Sequence, residues 1–133
     1  MTPGMCALTA ARGAIGVPFR LHGRSPENGL DCLGLAALAM RAAGYEGAVP
    51  SGYALRSGNA AQVRAAIATA GLMEAKAPRP GDLLLLQAGP GQLHFAIDTG
   101  TGILHADAML RRVVERPGAP PWPVIGRWRM RES

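Results

Sequence analysis

Cys32 and the histidines at 22, 94 and 105 are the side chains of this chain suited to nucleophilic chemistry. A cysteine attacks a carbonyl when a base within hydrogen-bond reach takes its proton and a third group orients that base. Cys32 closes the stretch Asn28-Gly29-Leu30-Asp31-Cys32 and opens the apolar run Leu33-Gly34-Leu35-Ala36-Ala37-Leu38-Ala39-Met40. Asn28-Gly29 is turn chemistry, Asp31 is a helix N-cap, and Gly44 supplies a left-handed stop. The cysteine therefore falls at a helix N-terminus, where unpaired N–H groups and the helix dipole favour thiolate over thiol. Little charge follows before Arg41, so this helix is expected to be buried nearly all round.

His94 and His105 fall on two successive strands predicted on either side of the turn at Thr99–Gly102, which makes them cross-strand neighbours. One imidazole can then face Cys32 while the other holds its far nitrogen. On its strand His94 shares a face with Ala96, a small residue that would let the cysteine helix approach the sheet. His105 could instead be a satisfied sheet residue, with Asp107 or Asp98 as orienter. His22 lies in a polar loop and reads as a surface residue. A zinc site from Cys32, His94, His105 and His22 is conceivable by ligand type, but the spacings match no common zinc pattern.

The elements that must position these residues change period midway. Thr2-Pro3 followed by Met5, Leu8, Ala11 and Ile15 predicts a first helix with Cys6 as packing, and Asn59–Ala70 predicts a helix stopped by Gly71. Between them Tyr45–Gly58 reads as a long irregular loop, a type that often faces substrate. After the turn Pro78-Arg79-Pro80-Gly81-Asp82, Leu83–Leu86 reads as a strand buried on both faces. Further strands are expected at Leu93–Asp98, Gly102–Ala106, Leu110–Glu115 and Val124–Arg129. Helices first and then an antiparallel meander of about five strands is the α+β class. The 133 residues, 48% hydrophobic and 17% charged, suit one domain over 1–133 with its own core.

The net charge of +5 suits an anionic partner. The arginines are scattered, however, and two each of Phe, Tyr and Trp do not interleave with them as on a nucleic-acid platform. Two cysteines make no disulfide framework, and a Cys6–Cys32 bridge would abolish the nucleophile. The N-terminal residues lack a basic region followed by a sustained apolar stretch, so no secretory signal is read, and no run reaches membrane-spanning length.

Four blocks, Asp31-Cys32-Leu33-Gly34-Leu35, Pro80-Gly81-Asp82-Leu83, His94-Phe95-Ala96-Ile97 and Ile103-Leu104-His105-Ala106, resemble in order those of the NlpC family of papain-like cell-wall cysteine peptidases. The resemblance runs from about Ala11 to Arg129. It implies a papain-like fold, Cys32 as nucleophile, His94 as general base and then acid, and His105 as the polar third member. It further implies cleavage of peptidoglycan stem peptides, typically between a D-γ-glutamyl residue and a diamino acid, without metal or organic cofactor. Asp31 is nominated to hold the substrate's amino group. Many members carry a tyrosine where this chain has Phe19, a departure that bears on the same substrate-binding pocket. A bulky residue after the cysteine, here Leu33, together with the missing signal, resembles members encoded with phage tails or gene transfer agents. In those, the particle and its other tail subunits carry the peptidase from the cytoplasm to the wall. A silent structural plug or adaptor of such an assembly is the alternative from another class.

Overall fold

The computed structural model describes residues 1–132. These residues form four helices, α1 (Pro3–Gly13), α2 (Cys32–Ala42), α3 (Tyr53–Arg56) and α4 (Ala60–Ala70). A two-stranded ribbon, β1 (Arg24–Ser25) and β2 (Gly29–Leu30), stands directly before α2. The main sheet is built from β3 (Met73–Glu74), β4 (Leu83–Gly89), β5 (Gln92–Asp98), β6 (Gly102–Asp107), β7 (Arg112–Pro117) and β8 (Val124–Arg129).

Every neighbouring pair in the main sheet is antiparallel, in the order β3-β8-β4-β5-β6-β7. The α+β class holds, with two corrections. The last strand does not extend a meander but returns between β3 and β4, and the sixth strand, β3, pairs only with it. The segment 45–58 is not wholly irregular either, because α3 forms within it.

β4 shows why the order takes this form. Leu83 and Leu85 enter the large core with Leu35, Met40, Phe95 and Ile97, while Leu84 and Leu86 join Ala96 and Ile103 on the opposite face, which Trp122 covers. Side chains alternate along a strand, so a continuous apolar run must be covered twice. The helices cover one face, and the proline-rich connector between β7 and β8 covers the other.

The turn before β4 is fastened by charge. Asp82, 1% exposed, accepts from the Arg79 backbone N–H at 2.9 Å, from Arg127 Nη1 at 2.7 Å and from Arg129 Nη2 at 2.9 Å. Arg127 Nη1 also reaches Asp98 at 2.7 Å, so one guanidinium ties the start of β4 to the end of β5. A buried carboxylate is tolerated because its lone pairs meet charged and backbone donors.

Candidate active site

Asp31 caps α2 from an extended backbone, accepting the Gly34 N–H at 2.8 Å on its side chain. Leu35 N–H meets the Asp31 carbonyl at 2.9 Å, the first backbone bond of the helix. Gly34 has to be glycine: a Cβ there would overlap the Gly23 carbonyl oxygen, which the ribbon presses against the first turn. At the other end Tyr45 N–H returns to the Met40 carbonyl around Gly44, whose φ of +112° ends the helix. Cys32 is thus the first helical residue, on a helix that is otherwise core for most of its length.

Cys32, His94 and His105 line one open cleft of about 650 Å³. His94 Nε2 lies 3.0 Å from His105 Nδ1, with the two rings nearly perpendicular at 87°. Trp122 sets its ring edge-on against both, at 5.6 Å from His94 and 5.9 Å from His105. The imidazoles lie on the sheet face of Leu84, Leu86 and Ala96, so Ala96 does not make room for the helix as its position suggested.

The helix reaches the sheet through the backbone instead. Pairing between β5 and β6 stops after Ile97↔Leu104, and the strands part toward His94. Asp98 N–H bonds the Asp82 carbonyl, so by alternation Ala96 and His94 direct their N–H groups toward β4, while Phe95 directs its own toward the gap. Helix α2 packs against both β5 and β6 there, and the backbone of Phe95 acts on Cys32 to favour its thiolate.

The electrostatics correct the expectation of a ready thiolate. Burial pushes the Cys32 thiol up to about 11, opposed by backbone N–H groups of Phe95 and Leu33 and by Arg24, and reinforced by the charge of Asp31. The donors at the helix start do favour thiolate, but desolvation of the charged form outweighs them. Burial also pulls His94 down to about 4, aided by His105 and opposed by Asp107. His105 is lowered by burial and by Arg116, again against Asp107. These shifts favour a neutral thiol and a neutral imidazole pair over the ion pair.

The other nominated residues fall into place unevenly. Asp31 lines the cleft, but its carboxylate already takes Gly34 N–H, His22 N–H at 2.9 Å and Arg24 Nη1 at 2.7 Å. Its charge is met from within, by Arg24, before any substrate amine arrives. Phe19, half-buried, lines the same cleft as Cys32. His22 is exposed and contributes only its backbone N–H, from a left-handed conformation at φ +64°. Asp98 is engaged with Arg127. Cys6 and Cys32 are both free thiols. Among the described residues no three His, Cys, Asp or Glu side chains are grouped to hold a metal ion.

The cleft also contains residues that sequence reasoning passed over: Arg56 from α3, Arg116 from β7, and Trp122. The lone tryptophan of the proline-rich connector was the signal available for the last. Arg56 was hidden in a segment read as irregular, and Arg116 lay one residue beyond the strand expected at Leu110–Glu115, which extends to Pro117.

A family model described as NlpC/P60 matches residues 16–122. No curated protein sequence matches the chain. Among solved structures, the fold is similar to NlpC1 from Trichomonas vaginalis, at 16% identity and a TM-score of 0.71, over 98% of this chain and 44% of that one. The chain thus spans less than half the length of that relative. It is also similar to the NlpC/p60 domain of the peptidoglycan hydrolase SagA, at 25% identity and a TM-score of 0.57, over 86% of this chain and 88% of that one. RipD from Mycobacterium tuberculosis, described as a non-catalytic NlpC/p60 protein adapted to peptidoglycan binding, is similar at 19% identity and a TM-score of 0.60, over 98% of each chain.

Proposed function

This chain belongs to the NlpC/P60 family, and from that premise we propose that it is a cysteine peptidase cleaving peptidoglycan stem peptides at a γ-D-glutamyl-diamino acid bond. The observation that carries the reading is the convergence of Cys32 and the His94–His105 pair on one cleft. The description of SagA as a peptidoglycan hydrolase supports the substrate class. A γ-linked glutamyl residue keeps a free α-carboxylate beside the scissile bond, and Arg56 and Arg116 line the cleft that would receive it.

In this mechanism His94, whose Nε2 is tied to His105, takes the Cys32 proton on Nδ1 as sulfur attacks the scissile carbonyl. Starting from neutral partners, proton transfer accompanies attack. The Cys32 backbone N–H, an unpaired donor of the first helical turn, meets the developing oxyanion. The His94 imidazolium then protonates the leaving amine, releasing it and leaving a thioester. Water, deprotonated by the same imidazole, attacks the thioester and frees the γ-carboxylate and the thiol. His105 orients His94 throughout, and Asp31 positions Cys32 by capping α2.

The test is digestion of purified peptidoglycan followed by mass spectrometry of the released peptides. New amino termini on the diamino acid are expected with wild type and not with Cys32→Ala. Identical products from the two would overturn the reading.

The raised thiol and lowered imidazole favour a second reading, a catalytically silent subunit or adaptor that binds the wall without cutting it. The description of RipD supports that such a fold can bind peptidoglycan without catalysis. Sedimentation of the protein with intact peptidoglycan, with no peptide released, is its expected result. We further propose delivery to the periplasm or cell wall within a tail-like particle, on the resemblance that includes Leu33 after Cys32. Detection of the chain in purified particles by mass spectrometry tests this, and its absence from them removes the proposal.

A further inference from the structure

Resting on the hydrolase reading, we propose that Asp107 is a positioning residue that selects the proton arrangement of the His105–His94 pair. His105 is 2% exposed, and its Nε2 is buried with no hydrogen-bond partner. Asp107 Oδ2 stands 3.9 Å from that nitrogen, too far for a hydrogen bond but close enough for a strong charge–dipole interaction. Asp107 is held there by its other oxygen, which accepts the N–H groups of Met109 at 2.8 Å and Leu110 at 3.0 Å. The carboxylate is thus pinned by one oxygen and presents the second to a buried nitrogen that lacks a partner.

A neutral imidazole carries one N–H. With an anion beside Nε2, the proton of His105 resides on Nε2, and its Nδ1 offers a lone pair to His94. His94 must then donate from Nε2, which leaves its own Nδ1 unprotonated. Only in that arrangement does the His94–His105 bond leave a base for the Cys32 thiol. In the reverse arrangement His105 Nδ1–H donates to His94 Nε2, and His94 Nδ1 carries the proton, so it cannot accept another. The charged groups bearing on the pair are Asp107 on the strand of His105 and Arg116 on β7, and Arg116 disfavours a second positive charge on His105. Thr or Ser in place of the carboxylate would keep a polar surface but lose the bias.

Asp107→Asn is the informative variant. Its amide oxygen can keep the bonds to Met109 and Leu110, while its NH₂ group faces His105 Nε2 as a donor and favours the reverse arrangement. Nitrogen-15 chemical shifts of the histidine side chains read the arrangement directly, with or without activity. We expect Nε2–H on both histidines in the wild type and Nδ1–H on both in Asp107→Asn. With a muropeptide substrate, kcat falls about 10²-fold with KM unchanged. Unchanged nitrogen shifts in a folded Asp107→Asn overturn the proposal, as does wild type with Nδ1–H on His105. If the shifts move as expected but the wild type releases no peptide, the tautomer assignment stands and the hydrolase reading fails.

Discussion

His94 Nε2 and His105 Nδ1 face each other at 3.0 Å where β5 and β6 have parted beyond the Ile97↔Leu104 pair. The bond uses Nε2 of His94 and leaves Nδ1 for chemistry. His105 is the more buried of the two, and in the proposed mechanism it acts on the cysteine through its partner, so the two histidines should differ in what their loss costs.

On the hydrolase reading, His94→Ala removes the base itself, and kcat is expected to fall by about 10³-fold or more. His105→Ala removes only its orientation, with a fall of about 10²-fold and little change in KM. Steady-state kinetics on a defined muropeptide distinguish the two. A His105→Ala variant with unaltered kcat would show that His105 is sheet packing.

The thiol pushed up to about 11 sets the alkylation profile of Cys32. With thiolate as the reacting species, iodoacetamide should label Cys32 slowly at neutral pH and faster through the alkaline range, with no plateau near 8. The Cys32→Ala variant corrects for Cys6. Rapid, pH-independent labelling from pH 6 upward would mean an ion pair that burial has not suppressed.

His94, lowered to about 4, makes the fold sensitive to acid. Its unfolded value is near 6.5, so between about 6.5 and 4 the unfolded chain binds a proton that the folded chain refuses. Stability from this group is full above 6.5 and is lost as pH falls through that window, with His105 acting in the same direction. Urea denaturation followed by tryptophan fluorescence should give a lower midpoint at pH 4.5 than at pH 7. The difference should shrink in His94→Gln, and an undiminished difference there would assign the acid sensitivity elsewhere.

Asp31 can be separated into cap and charge. Asp31→Asn keeps a capping oxygen but removes the anion that raises Cys32, so the alkylation profile should move to lower pH. Asp31→Ala loses the cap as well and should cost about 1–2 kcal/mol of stability. If the carboxylate also holds a substrate amine in spite of Arg24, KM will rise several-fold in Asp31→Asn. An unmoved KM confines Asp31 to positioning.

Removing the buried carboxylate of Asp82 leaves Arg127 and Arg129 without it. Asp82→Ala should destabilise the chain by about 3 kcal/mol or more, measured by chemical denaturation. A loss well under 1 kcal/mol would mean that water or Asp98 compensates.

Much of this was legible because local chemistry and global placement agreed. Asp31, Cys32 and Gly44 announced a capped helix, and the two-sided burial of Leu83–Leu86 followed from an apolar run too short for a helix. Val124–Arg129 was readable as a strand, but its place beside β4 was not, since pairing over such separation leaves no local mark. The state of Cys32 was misjudged because the helix-end effect can be read from neighbours in sequence, whereas desolvation depends on β5, some 60 residues away. The Phe95 N–H was invisible for the same reason: it is freed by the parting of two strands, a property no residue type encodes.

The ion cluster of Asp82, Arg127 and Asp98 lies at the far end of β5 from the chemistry, and it has a role in alignment. Slipping β5 by one residue against β4 would turn His94 to the helix face and bring an apolar neighbour, Leu93 or Phe95, to its place opposite His105. The apolar residues of β4 would oppose such a slip only weakly, since both of its faces are leucine. Arg127, bonded at once to the residue that leads into β4 and to the last residue of β5, penalises it directly. A charge contact remote from the cleft thus acts as an index pin, and the presentation of the base to the thiol depends on a bond that touches neither.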